Sequence, residues 1–184
     1  TVNVSLSLLS SGIGGGSISV TADSDSNGTG AILDNTAAEN ANLVTTTTAT
    51  LNAAQGIGIA GLADIDTMIG TLIASNTASG TIVIEELAAG GDIALGAVSN
   101  GNRDVTITAA GGAITDGNAA VLNVTAGVLS LNAANGIGSG NAIEISVNSL
   151  NATNTTTGNI EIVESNGLSI DGTGVRTLGG NGSI

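Results

Sequence analysis

Twelve residues early in the sequence have the spacing of a calcium-binding loop. Residues 23–34 are DSDSNGTGAILD, which places Asp23, Asp25, Asn27 and Asp34 at loop positions 1, 3, 5 and 12. Alternate oxygen ligands can converge on a hard cation, and a glycine at position 6 allows the sharp turn. Position 12 is Asp rather than the longer Glu, and no helices are expected on either side. A polar turn between two strands is therefore the alternative interpretation.

Two pairs of acidic residues could serve acid–base chemistry. Asp64 and Asp66 would share one face of a strand, whereas Glu85 and Glu86 would point to opposite faces. Paired carboxylates can hydrolyse glycosides, but the sequence has no His, Tyr or Trp to shape a sugar subsite. We interpret both pairs as solvated charges at strand edges. Because His, Cys and Lys are also missing, we predict no nucleophile–base pair and no enzyme.

The charge balance restricts the partners of the chain. Two basic residues, Arg103 and Arg176, stand against fifteen acidic ones, for a net charge of −13. Nucleic acid is excluded as a partner because phosphate contacts need Lys and Arg. Ser, Thr and Gly interrupt every apolar run well before spanning length, so we expect no membrane-embedded segment. An acidic surface of this kind predicts a secreted, extracellular protein that can bind divalent cations weakly.

Two copied blocks indicate a repeat array. Residues 50–58 (TLNAAQGIG) and 130–138 (SLNAANGIG) agree at seven of nine positions and lie 80 residues apart. A second echo joins residues 74–86 (ASNTASGTIVIEE) to residues 152–164 (ATNTTTGNIEIVE). We therefore divide the chain into degenerate repeat coils at 1–44, a repeat unit at 45–124 and an incomplete unit at 125–184. We expect these parts to form one continuous structure, cut from a longer array.

Short apolar alternations predict many short strands, and every connector between them contains Gly or Asn. Residues 36–41 are the most helix-compatible stretch, and a helix is also conceivable over residues 63–73. The chain has no aromatic residue at all, which favours a thin core made of stacked Ile, Val and Leu. We predict an all-β fold, a parallel β-helix (β-solenoid) with Asn and Thr ladders, three or four coils to each 80-residue unit, and glycine corners. A tandem array of small β-sandwiches is the alternative.

The order of several blocks resembles the degenerate repeats of filamentous-haemagglutinin-like adhesins, very large bacterial surface proteins. The resemblance covers most of residues 45–184 and rests on five segments: 109–117 (AAGGAITDG), 121–138 (VLNVTAGVLSLNAANGIG), 143–150 (IEISVNSL), 158–172 (GNIEIVESNGLSIDG) and 174–184 (GVRTLGGNGSI). It implies export, a right-handed parallel β-helical shaft and a role in adhesion, aggregation or surface coats. It supplies no catalytic residues.

From these observations we predict a non-enzymatic structural shaft of an extracellular filament or cell-surface adhesin. Natural solenoids cover both ends with capping coils, and we see no amphipathic capping helix here. We therefore expect each end to contact more of the same chain or another copy, head to tail. A host or neighbouring cell surface is a further expected partner. The alternative is a calcium-dependent extracellular module that binds a ligand itself.

Overall fold

The chain folds as a parallel β-solenoid of about six turns, with no helix in the parts that are described. The structure is a computed structural model and describes residues 2–12, 14–36, 38–61 and 63–184. The strands are β1 (Val4–Leu6), β2 (Leu9–Gly12), β3 (Ile18–Thr21), β4 (Ile32–Asp34), β5 (Leu43–Ala53), β6 (Ile65–Asn76), β7 (Ile82–Glu86), β8 (Ile93–Ser99), β9 (Val105–Ala109), β10 (Ile114–Asp116), β11 (Val124–Ala133), β12 (Ile143–Asn154), β13 (Ile162–Glu164) and β14 (Ser169–Thr177).

Each strand pairs in parallel with the strand one coil away, so aliphatic side chains stack in columns. One column has buried members in six successive coils. These members lie 25, 25, 23, 24 and 21 residues apart in the sequence. They are Ile32, Ile57, Ile82, Val105, Leu129 and Leu150. The core is therefore a one-dimensional stack in which each layer is covered by the next, which explains how the chain folds without aromatic side chains.

Glycines make the corners, as the sequence predicts. Gly56 and Gly136 have φ of 115° and 114°, and Gly58 and Gly138 have φ of 69° and 64°. These backbone angles favour glycine over every residue with a Cβ atom. A Cβ atom on Gly138 would also overlap the carbonyl oxygen of Glu161 in the next coil. The GIG triplets at 56–58 and 136–138 are thus structural corners, and each ends a strand.

The two copied blocks form the same kind of glycine corner, but their strands contribute to different columns of the solenoid. Leu51 stacks with Ala74 and Val98, whereas Leu131 stacks with Ile107 and Ala152. An offset of 80 residues falls between three and four coils of the observed length. The repeat therefore rotates around the solenoid axis from one copy to the next. The predicted unit boundaries at 44/45 and 124/125 fall inside β5 and β11.

The two stretches considered for a helix contain none where they are described. Bends lie at residues 38 and 39, and β6 occupies most of residues 63–73, in agreement with the weak apolar alternation there. The position of a segment in its coil, more than its own helix propensity, decides its conformation.

Candidate functional site

Three carboxylates from two adjacent coils come together at one corner. Glu39 lies between β4 and β5, Asp64 directly precedes β6, and Asp66 is the second residue of β6. One carboxylate oxygen from each residue lies within 4.8 Å of the other two. We call Glu39, Asp64 and Asp66 the acidic corner. In the part of the chain that is described, it is the one group of three acidic side chains close enough to share a metal ion.

The two aspartates of the acidic corner are buried without partners. Asp64 is 8% exposed and Asp66 is 2% exposed. The Oδ1 atoms of both have no hydrogen-bond partner. A buried carboxylate normally accepts hydrogen bonds or pairs with a cation, because an unpaired buried charge is costly. The prediction that Asp64 and Asp66 are solvated is therefore wrong, because both side chains are buried within the stacked coils.

Burial and mutual repulsion change the protonation of the acidic corner. Burial, reinforced by the charges of Glu39, Asp64, Glu85 and Asp34, raises the pKa of Asp66 to about 7. Burial followed by repulsion from Glu39 and Asp34 also raises the pKa of Asp64. The pKa of Glu85 rises for the same reasons, with Asp64 and Glu39 as its charged neighbours. Among the described residues, no positive charge lies close enough to offset these increases in pKa. The acidic corner could therefore accommodate a cation.

Asn42 fixes the backbone on which Asp66 is placed. Its Oδ1 accepts the backbone N–H of Asp66 at 2.9 Å, and its own N–H donates to the Asp66 carbonyl oxygen at 2.8 Å. Its Nδ2 donates to Oδ1 of Asp34 at 2.6 Å. Asn42 is fully buried, so this network joins one coil rigidly to the next. The start of β6 is thereby held at the place where Asp66 lies close to Glu39.

The second repeat contains the same corner without its acidic cluster. Asn123 donates its Nδ2 to Oδ1 of Asp116 at 2.8 Å, and its Oδ1 accepts the N–H of Glu144 at 2.8 Å. These contacts match those of Asn42, Asp34 and Asp66. Residues 30–44 and 112–125 are thus a third pair of copied blocks, in addition to the pairs at 50–58 with 130–138 and 74–86 with 152–164. An alignment of GAILDNTAAENANLV with GAITDGNAAVLNVT shows it in the sequence.

The predicted calcium loop has its oxygens engaged within its own turn. The two carboxylate oxygens of Asp23 accept the N–H groups of Asn27 and Gly28 at 3.0 and 3.2 Å. Asp25 accepts the Nδ2 of Asn27 at 2.7 Å. The contacts are those of an Asx-type polar turn. Calcium binding by this set stays a prediction, and the structure adds that Asp23, Asp25 and Asn27 already have protein partners.

Asp34, the last ligand of the predicted loop, takes part in the Asn42 network. Its Oδ1 accepts hydrogen bonds from the N–H and hydroxyl of Thr36, both at 2.8 Å, as well as from Asn42. Burial by itself would raise the pKa of Asp34, but these hydrogen bonds lower it below its ordinary value. Asp34 therefore stays ionised and adds its negative charge to the surroundings of Asp64 and Asp66.

Glu85 and Glu86 point to opposite faces of β7, as predicted, but Glu86 is inside. Glu86 is fully buried. Its Oε2 accepts the hydroxyl of Thr67 at 2.6 Å, and its Oε1 accepts the N–H of Ile69 at 3.0 Å. Burial outweighs these hydrogen bonds and raises the pKa of Glu86 to about 7. The prediction that Glu86 is solvated is wrong, because its side chain lies on the buried face of β7.

The acidic corner offers oxygen ligands from two loops, and this is the chemistry of hard divalent cations. Sequence reasoning missed Glu39, which lies in the stretch considered most compatible with a helix. Among the described residues, no helix is long and apolar enough to cross a membrane. Comparison of the chain with known protein families, curated proteins and solved structures gave no match.

Proposed function

We propose that the chain is a non-enzymatic structural shaft segment of an extracellular filament or cell-surface adhesin, which assembles end to end with further copies. The supporting observation is the uncovered last layer of the solenoid. In the described residues β13 and β14 pair with β12 alone. Their other edges carry no strand, so they can accept another parallel strand.

The last layer is apolar as well as unpaired. Leu168, Ile170 and Ile184 are 38%, 53% and 73% exposed. Together with Ile160, Ile162 and Val175 they line a depression of about 500 Å³. An exposed apolar patch beside open strand edges is typical of a surface that receives a partner. The partner that fits a parallel ladder is another coil of the same kind, supplied by the first coil of a second copy or by a further repeat of a longer chain.

The first coil has complementary properties. Val2, Leu8 and Leu9 are exposed apolar residues, and β1, β2 and β3 each pair with one strand in the described residues. The net charge of −13 opposes side-by-side association of such shafts, because like charges repel across their outer faces. Contact between the ends, where exposed apolar residues are concentrated, is therefore favoured over lateral contact. Repeated head-to-tail contact that does not close gives a filament.

Sedimentation velocity and negative-stain electron microscopy at rising protein concentration test this proposal. Six turns with a spacing of about 4.8 Å make a rod roughly 30 Å long, and we expect rods that lengthen in multiples of that value. Ile170→Asp should abolish assembly by placing a charge in the apolar layer. Val163→Asp is the matched control, because Val163 is equally exposed, at 52%, but lies outside the depression.

A monomer at every concentration would contradict the proposal. Equal loss of assembly in Ile170→Asp and Val163→Asp would also contradict it, because lateral contacts would then carry the association. Assembly that is lost in the first variant and kept in the second supports end-to-end stacking.

The second candidate function is a calcium-dependent module that binds a ligand, such as a glycan of a host or neighbouring cell surface. The acidic corner is the observation that favours it. Binding of the chain to immobilised glycans, with calcium and with chelator, separates the two functions. Saturable binding that needs calcium supports the binding module. Absence of binding in both conditions, with rods in the microscope, supports the shaft.

A further inference from the structure

We propose that Glu39, Asp64 and Asp66 bind one calcium ion, which joins two successive coils of the solenoid. Glu39 comes from the loop that leads into β5, and Asp64 and Asp66 come from the start of β6. β5 and β6 are stacked neighbours, with Leu43 paired to Thr67. An ion at the acidic corner would therefore link the two coils at their outer loops.

The distances between the carboxylate oxygens suit calcium. Calcium–oxygen distances are about 2.3–2.6 Å, so two ligands on opposite sides of the ion lie about 4.6–5.2 Å apart. The three oxygens of the acidic corner lie within 4.8 Å of one another, which this range allows. Magnesium needs shorter bonds and a strict octahedron. Zinc favours nitrogen and sulfur ligands, and the chain has no His or Cys.

The unpartnered aspartates are an independent sign of a missing ligand. Asp64 and Asp66 are both more than nine-tenths buried, their Oδ1 atoms accept no hydrogen bond, and both carboxylates face Glu39. The only basic residues of the chain have other partners. Arg103 bonds to Asn100 and to the Asn76 carbonyl oxygen, and Arg176 bonds to Thr153. A divalent cation supplies the positive charge that no side chain supplies here.

Comparison of the two repeats predicts a single ion. The position of Asp64 is occupied by Ala142 in the second copy, and the position of Glu39 is occupied by Val121. Glu144 alone remains, at the position of Asp66. The second corner keeps its asparagine network, so the solenoid needs no acidic cluster to form that corner. The three carboxylates of the first copy are therefore extra to the fold, as expected for ligands.

Calcium titration by calorimetry at pH 8 tests the site, with thermal unfolding followed by far-ultraviolet circular dichroism. We expect one calcium per chain, at least tenfold preference over magnesium, and a higher unfolding temperature with calcium than with chelator. Asp66→Asn should weaken binding at least tenfold and remove the calcium-dependent rise. In chelator it should unfold at the wild-type temperature or above, because it relieves repulsion. If Asp66 had a purely structural role, Asp66→Asn would instead lower the unfolding temperature in chelator and leave the calcium affinity unchanged.

Two control variants and one substitute variant complete the test. Glu144→Gln removes the same charge from the equivalent corner and should bind calcium like the wild type. Asp25→Asn tests the predicted calcium loop and should also leave binding unchanged. If Asp66→Asn does not fold, Asp64→Ala replaces it, because alanine already occupies the matching position 142. The proposal is overturned by no binding at ~10 mM calcium, by wild-type affinity in Asp66→Asn or its substitute, or by loss of binding in Asp25→Asn.

Discussion

Asn76 donates its Nδ2 to Oδ1 of Asn100 at 2.8 Å, and both side chains are buried at one corner of successive coils. Oδ1 of Asn76 accepts the N–H of Gly56 at 2.8 Å in the coil on the other side. The pair therefore connects three layers of the solenoid. It is the asparagine ladder that the sequence predicts, although here each amide also binds backbone groups of the corner.

Asn76→Ala should lower the free energy of unfolding by about 3 kcal/mol, because it leaves the buried Gly56 N–H without its acceptor and removes the donor to Asn100 Oδ1 and to the Ser79 carbonyl oxygen. Urea unfolding, followed by circular dichroism because the chain has no aromatic fluorophore, measures the change. Asn135→Ala is the control: Asn135 is exposed and donates to the Gly111 carbonyl oxygen. Equal effects of the two substitutions would show that the buried ladder has no special role.

Gly138→Ala should destabilise the solenoid by about 2 kcal/mol or more. Its φ of 64° is costly for alanine, and the new Cβ atom would overlap the Glu161 carbonyl oxygen. Gly167→Ala is the matched control, because open space surrounds Gly167 and its φ lies outside the left-handed region. A Gly138→Ala variant as stable as Gly167→Ala in the same urea titration would refute the corner assignment.

Ile107→Ala should cost about 3 kcal/mol, which is typical for removing most of a fully buried side chain. Ile107 stacks between Ile84 and Leu131 in neighbouring coils. Ile59→Ala, at a position 58% exposed, should change stability by less than about 0.5 kcal/mol. Urea denaturation of both variants checks this, and a small effect at Ile107 would argue against a core of stacked single layers.

The calcium-free chain should become less stable as the pH rises from 5 to 8. Asp66 and Glu86 have pKa values of about 7 in the folded chain, against ordinary values of 3.8 and 4.5. Between these values the folded state keeps protons that the unfolded state releases, so their stabilising contribution is lost as the pH passes through about 7. The unfolding temperature in chelator, measured at each pH, should therefore fall.

The double variant Asp66→Asn, Glu86→Gln should flatten this pH dependence, because neither side chain can then ionise. Asp104→Asn removes one exposed charge from the loop before β9 and should leave the slope as it is. An unfolding temperature that rises from pH 5 to pH 8 in the wild-type chain would contradict the assigned protonation states.

Much of the fold could be predicted because its signals are local. The alternation around Ile82, the GIG corners and the copied blocks each depend on residues that are close in sequence, and together they predict parallel stacked coils. The burial of Asp66 and Glu86 could not be predicted in the same way. Alternation shows which residues share a face, but it does not show which face points inward when neighbouring coils carry loops of different length.

The sequence by itself determined the thin aliphatic core, the glycine corners and the repeat, because composition and spacing are local properties of the chain. Only the tertiary structure decided that Glu39 meets Asp64 and Asp66. These residues lie in loops of two adjacent coils, and their approach depends on the register of β5 with β6 and on the Asn42 network between them. The calcium loop over residues 23–34 is predicted from the spacing of residues along one segment. The acidic corner instead arises because two segments stack on each other.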